Sequence, residues 1–291
     1  MPMTLIEGHY EVIGAAPDGD SVRFYPRERA DWELVRSSRP IRSNQRGGAQ
    51  LRLDGVDALE THYSAMGHEL GVLHQPLHEA QSAAANLLQW IGFRRVERDA
   101  KEKVVSAQPA RTPGYILTRF ADAYGRCVAF AFEGKHPGKT GDQVYLDRSL
   151  LEESINYRLL SEGLAYPTYY SKLYFELRRA MTRAVVEARE AGRGIWERDR
   201  TTAGWMVAAT LEQVQEEAFV LPKLFRRLVD YFALGAGDTS LAGFPEYLAQ
   251  RDDRVFVLSE GQITNFDTVV ETRGQTLRLL TSVEDLVFQE K

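Results

Sequence analysis

Five side chains stand out because together they answer the demands of phosphodiester hydrolysis: Asp20, Arg52, Asp57, Glu60 and Arg126. At neutral pH that reaction asks for a hard cation to polarise the phosphate, a base to hold or deprotonate water, and positive donors for the charge developing on the phosphorus oxygens. Asp18 and Asp20 flank Gly19 in a turn-forming run that can aim carboxylates at one point, and Asp57 ends a strand-like stretch. Carboxylates with a backbone carbonyl suit Ca2+, or a similar oxygen-loving ion such as Mg2+ or Mn2+. Glu60 lies three residues beyond Asp57, near enough to share a site and free to hold a water. Arg52 and Arg126 can each make paired hydrogen bonds to phosphate oxygens, which a lysine cannot copy.

The elements that must position these groups are short and β-rich at first. His9-Ala16, Ser21-Tyr25 and Gln50-Val56 alternate as strands separated by turn signals such as Pro17-Asp-Gly-Asp20. Leu77-Ile91 repeats Ala and Leu at helical spacing, and Tyr115-Arg119 and Arg126-Phe132 resume the strand pattern around an Asp-Ala-Tyr-Gly turn. Two amphipathic helices follow, over Leu146-Glu162 and Tyr174-Ala191, each ended by a glycine that supplies a left-handed cap. The expected fold is a mainly β barrel of the OB type with packed α-helices over residues 1–200. The segment 27–48, rich in Arg, Ser, Gly and Asn without clear period, reads as an inserted hairpin arm or partly mobile loop. Residues 201–291 read as a separate small C-terminal α+β module, with helices near 206–218 and 220–234 and strands near 255–258, 266–271 and 276–280.

In order and context, three runs resemble the signature of the staphylococcal nuclease family. They are Asp18-Gly-Asp-Ser-Val-Arg23, Leu51-Arg-Leu-Asp-Gly-Val-Asp-Ala-Leu-Glu-Thr61 and Asp122-Ala-Tyr-Gly-Arg-Cys-Val-Ala129. Leu159-Leu-Ser-Glu-Gly-Leu-Ala165 and Gly192-Arg-Gly-Ile-Trp196 extend the resemblance, which covers about residues 8 to 197. It implies an OB-type barrel that binds Ca2+ and hydrolyses DNA and RNA to fragments with 3′-phosphate ends. By the same resemblance Asp20 and Asp57 are metal carboxylates, Asp18 is their acidic neighbour, and Ala58 offers a backbone carbonyl to the metal. Glu60 handles the attacking water, Arg52 and Arg126 clamp the phosphate, and Tyr124 and Tyr169 contact a nucleotide phosphate. The chain departs from the family pattern at Ser21 and Ala58, each in place of Thr, and at Leu59 in place of Pro, which implies a less rigid loop before Glu60.

Composition narrows the setting. A net charge of -5 is unusual for a chain that meets a polyanion, but residues 201–291 carry 8 basic and 14 acidic residues, so the acidity resides in the tail. An enzyme that grips one phosphate with local arginines needs no basic face. The acidic tail suggests docking of a protein partner or masking of the groove, and the single cysteine, Cys127, excludes an internal disulfide framework. No apolar run is long enough to span a membrane and no signal peptide is evident, which points to a cytoplasmic protein without a membrane partner. Gly134-Lys-His-Pro-Gly138-Lys-Thr140 has three residues between its glycines where a phosphate-binding loop needs four, so it reads as a connection. The rival to a nuclease is a module that keeps the barrel to bind protein or nucleic acid without catalysis. Retention of Asp20, Arg52, Asp57, Glu60 and Arg126 together favours the enzyme.

Overall fold

The computed structural model describes residues 2–37, 39–65 and 70–290. Its first half is a closed barrel of five strands: β1 (Pro2–Tyr10), β2 (Ser21–Pro26), β3 (Ala49–Leu53), β9 (Thr112–Ala121) and β10 (Cys127–Glu133). Between them lie β4 (Val56–Ala58), the paired β5 (Tyr63–Ser64) and β6 (Val72–Leu73), and the hairpin of β7 (Arg95–Arg98) and β8 (Val104–Gln108). Neighbours in the barrel are antiparallel except β3 and β10, which run parallel, and β1 closes the ring by pairing with β9 from Thr4↔Thr118 to Tyr10↔Thr112. Pairing of Pro2 and Met3 with Tyr145 and Val144, and of Thr4 to Tyr10 with β9, explains why β1 begins at Pro2, ahead of the expected His9-Ala16. The chain leaves the sheet after Tyr10 and bonds instead to the β7–β8 hairpin, through Gly14 N to Val104 O.

Helices cover the barrel, so β10 is buried along nearly its whole length and not on one face only. Helix α1 (Leu77–Trp90) turns Ala80, Ala83, Ala84, Leu87 and Leu88 inward, as its spacing predicts. The single helix expected over 146–162 is two, α2 (Arg148–Glu153) and α3 (Ile155–Ser161), broken at Ser154. Ser154 is extended, and its hydroxyl accepts from Tyr157 N and donates to Leu151 O, which caps the second helix and closes the first. The break lets Asn156 face the barrel, where its amide accepts from Ala131 N and donates to the carbonyls of Asp54 and Ala129. Strands β11 (Gln143–Tyr145), β12 (Ala165–Pro167) and β13 (Tyr169–Tyr170) and helix α4 (Phe175–Glu190) complete this part.

Among the described residues of 27–48, a 3-10 turn over Arg29–Leu34 buries Trp32, whose Nε1 donates to Gly47 O, and Asn44 Oδ1 accepts from Arg46 N and Gly48 N. Residues 201–290 do not stand apart from the barrel. Their helices α5 (Leu211–Glu217), α6 (Pro222–Leu234) and α7 (Phe244–Gln250) contribute to one apolar core that runs from Met3 to Phe288. Strand Leu286–Phe288 pairs in parallel with β13 and antiparallel with Arg254–Val257. Apolar residues of both halves, such as Met181 and Leu224, are fully covered, so the boundary at residue 200 divides the sequence and not the core. Among the described residues no helix is long and apolar enough to cross a membrane.

Asn156→Ala takes a hydrogen bond from each of Ala131 N, Asp54 O and Ala129 O, of which Ala129 O keeps the one from Asp54 N, and we expect it to lower unfolding free energy by about 2 kcal/mol or more in urea denaturation.

Candidate active site

The acidic turn is drawn to the barrel by its backbone. Asp20 O accepts from Leu53 N at 3.0 Å, which ties the turn to β3. A Cβ on Gly19 would lie 2.5 Å from the Cβ of Ala58 and 2.7 Å from that of Ala83, so only glycine lets the turn approach β4 and α1 this closely. Asp18 Oδ1 accepts from Ser21 Oγ at 2.5 Å. Arg52 stands opposite Ser21 in the β2–β3 register, and its guanidinium stacks on Tyr170, 4.3 Å from the ring centroid. Asp57 sits in β4, which is held by β12 with Tyr166 opposite it. Arg126 Nε donates to Asp122 Oδ2 at 2.7 Å, and the same carboxylate accepts from the backbone N–H groups of Tyr124 and Arg126, so the β9–β10 turn fixes one arginine.

The loop to Glu60 is firmer than its leucine implies. Leu59 is buried, Glu60 N donates to Gln75 Oε1, and Gln75 N donates to Glu60 O. Gln75 is itself fully buried and its Nε2 donates to the carbonyls of Ala218 and Val220, just before α6. One glutamine therefore joins the Glu60 loop to the C-terminal helix.

These elements converge on a cleft of about 500 Å³. Asp18, Asp20, Arg52, Asp57, Ala58, Glu60, Tyr124 and Arg126 all line it. Tyr169 does not: it is fully buried, with its hydroxyl on Thr182 at 3.0 Å, and its neighbour Tyr170 faces the cleft instead, because adjacent residues of β13 point to opposite sides. A larger hollow of about 850 Å³ runs between α1 and the β7–β8 hairpin, but it holds none of these groups.

The model of the staphylococcal nuclease homologue family matches residues 50–198. The chain belongs to that family. Among curated proteins, none matches it. The matched stretch includes Arg52, Asp57, Glu60 and Arg126, while Asp18, Asp20 and α6 lie outside it.

Five cleft residues escaped the sequence reading: Tyr63, Tyr170 and, from α6, Lys223, Arg226 and Arg227. Arg226 Nη1 donates to Asp57 Oδ1 at 3.0 Å and to Glu60, and Nη2 donates to Asp57 Oδ2 at 2.8 Å. Arg227 grips the buried Asp253 through Nε at 2.5 Å and Nη2 at 3.1 Å. Lys223 lies 3.9 Å from the same carboxylate and 4.5 Å from the centroid of Phe288. The signal was present as Lys-x-x-Arg-Arg-x-x-Asp230, which places charges on one stripe of a helix whose other residues are apolar. In sequence this run reads only as a helix near 220–234, because nothing local shows that both sides of the helix are covered.

The charges shape one another. Burial, then Asp18, Asp57 and Glu60, push the Asp20 carboxyl well above its usual range. Burial also raises Glu60, to about 7; Arg226 opposes the rise, while Asp57 and Asp18 add to it. For Asp57 burial is more than offset by Arg226, Arg52 and Lys223, and the carboxyl is held below its usual range. Tyr170 is also lowered, since Lys223 and Arg52 outweigh its burial. The Cys127 thiol, fully buried, is pushed up to about 12 by burial, which agrees with a packing role.

The residues expected to hold Ca2+, Asp18, Asp20, Asp57 and Ala58, line the cleft together, with Arg226 against Asp57. Both Asp57 oxygens accept from the Arg226 guanidinium. Donors of the right type are present, but as placed they do not fit a bound divalent cation.

Removing one partner of the Arg226–Asp57–Glu60 group strands a largely buried charge. We expect Asp57→Ala to lower stability by about 3–5 kcal/mol, with Asp57→Leu combined with Arg226→Met recovering part of that loss in chemical denaturation.

Proposed function

We propose that this protein is a nuclease that hydrolyses phosphodiester bonds of DNA or RNA. The observation that carries the reading is one cleft that gathers a buried carboxylate, Glu60, with the two guanidinium groups of Arg52 and Arg126. Glu60 orients water and takes its proton as the water oxygen bonds to phosphorus. The bond from phosphorus to the leaving sugar oxygen breaks in line, and that oxygen takes a proton from solvent. Arg52 and Arg126 donate to the non-bridging oxygens, whose negative charge grows in the transition state. Tyr124, exposed at the rim, offers a face for a nucleotide, and 3′-phosphate products follow from the family resemblance. The barrel matters because β3, β4 and the β9–β10 turn bring these groups from distant parts of the sequence to one place.

The test is cleavage of single-stranded DNA, duplex DNA and RNA by the pure chain. We expect Glu60→Gln to lower kcat by about 100- to 10,000-fold and Arg126→Ala by about 100-fold or more. Wild-type rates in both variants would leave the binding module as the better account.

A base whose pKa is about 7 must lose its proton to act, so kcat/KM should rise with pH and level off above about 7. The same shift acts oppositely on folding. The folded chain holds the Glu60 proton where the unfolded chain, near the usual 4.5, has lost it. This contribution to stability is full below that lower value and is lost as pH rises through about 7. A stability profile of Glu60→Gln flatter than wild type between those limits checks the sign.

A further inference from the structure

We propose that Arg226 is the resident cation of this site: its guanidinium takes the place beside Asp57 and Glu60 that a divalent ion would take, so cleavage needs no divalent metal. The inference rests on the nuclease reading and concerns how that same site is charged.

Geometry is the first support. Arg226 bridges Asp57 and Glu60, spending three of its five N–H groups, and the remaining two have no partner among the described residues. It lines the cleft, so those donors are available to a phosphate oxygen. A guanidinium that donates to both Asp57 oxygens competes with an ion for them, through like charge and through the space between the two carboxylates.

Charge is the second. Four carboxylates and five cationic side chains line the cleft, and three of the five come from α6; Arg227 and Lys223 face Asp253, so Arg226 is the one of the three that bonds the cleft carboxylates. With Arg52 and Arg126 alone the cleft would be net negative and would repel a phosphodiester. Supplied by α6, the positive charge comes with the fold.

The third is that Arg226 is not placed to withdraw. Its helix buries Leu224, Phe225, Leu228 and Phe232 in the common core, Tyr63 donates to Asp230 one turn on, and Gln75 ties the start of the helix to the Glu60 loop. A detachable plug would sit on a segment with few buried contacts. Arg226 is therefore a positioning residue that neutralises Asp57 and steadies Glu60 in the working enzyme.

The full chain, stripped of metal, is assayed on a fluorogenic single-stranded oligonucleotide in chelator and in Ca2+, Mg2+ or Mn2+, beside Arg226→Gln and Arg226→Lys. Mn2+ binding to each is measured directly by titration, with circular dichroism to confirm folding. We expect wild type to cleave as fast in chelator as in metal. Arg226→Gln should fall by about 100-fold in chelator and recover partly with Mn2+, and Arg226→Lys should retain more activity than Arg226→Gln. Arg226→Gln should also bind Mn2+ at least about tenfold more tightly than wild type. Wild-type activity lost in chelator and restored by metal would overturn the proposal, as would equal Mn2+ affinity in wild type and Arg226→Gln. A wild type that cleaves nothing under any condition ends the nuclease reading and metal-free cleavage with it. The Mn2+ comparison still decides whether Arg226 holds the place of an ion.

Discussion

The structure depends on a compensation: Asp18, Asp20, Asp57 and Glu60 face one cleft, and such a group cannot stay charged and buried unless positive charge is held against it. Asp57 meets that demand through Arg226 and stays ionised, while Asp20, farther from compensation, is driven toward its protonated form. Asp20, Asp57 and Glu60 thus differ in state because their neighbours differ. Everything that carries a cation into the cleft, above all the docking of α6, is tied to this constraint.

The barrel serves that end by being rigid where the site needs it. Arg52 is fixed by the β2–β3 register and by stacking on Tyr170, Arg126 by the Asp122 turn, and Glu60 by Gln75. The Asp122 support is local, whereas Tyr170 reaches Arg52 from a distant strand and Gln75 reaches across the boundary that composition suggested at residue 200. The family match ends at 198, yet the cleft is lined by residues up to Arg227. The C-terminal segment is therefore structurally part of the site.

Net charge misleads here for a simple reason. It sums all side chains with equal weight, whereas a site responds to those within a few ångströms in a medium of low polarisability. The most acidic segment of the chain sends three cations into the cleft and leaves much of its negative charge on the outside.

Much of the barrel was legible in sequence because its strands and helices carry local period, and α1 and the hairpin of β9 and β10 fall close to where that period places them. The members of the candidate site inside the barrel were legible too, because order and spacing of Asp18 to Arg126 form a pattern that depends little on distant contacts. What local pattern could not carry was partnership. Whether Tyr169 or Tyr170 faces the cleft turns on which side of β13 the core lies, and the helix break at Ser154 turns on the need of Asn156 to reach the barrel. The meaning of Arg226 was the least accessible of all. A charged residue on an amphipathic helix looks solvated until another surface covers it, and only the tertiary fold brings Asp57 and Glu60, more than 160 residues away, against its guanidinium.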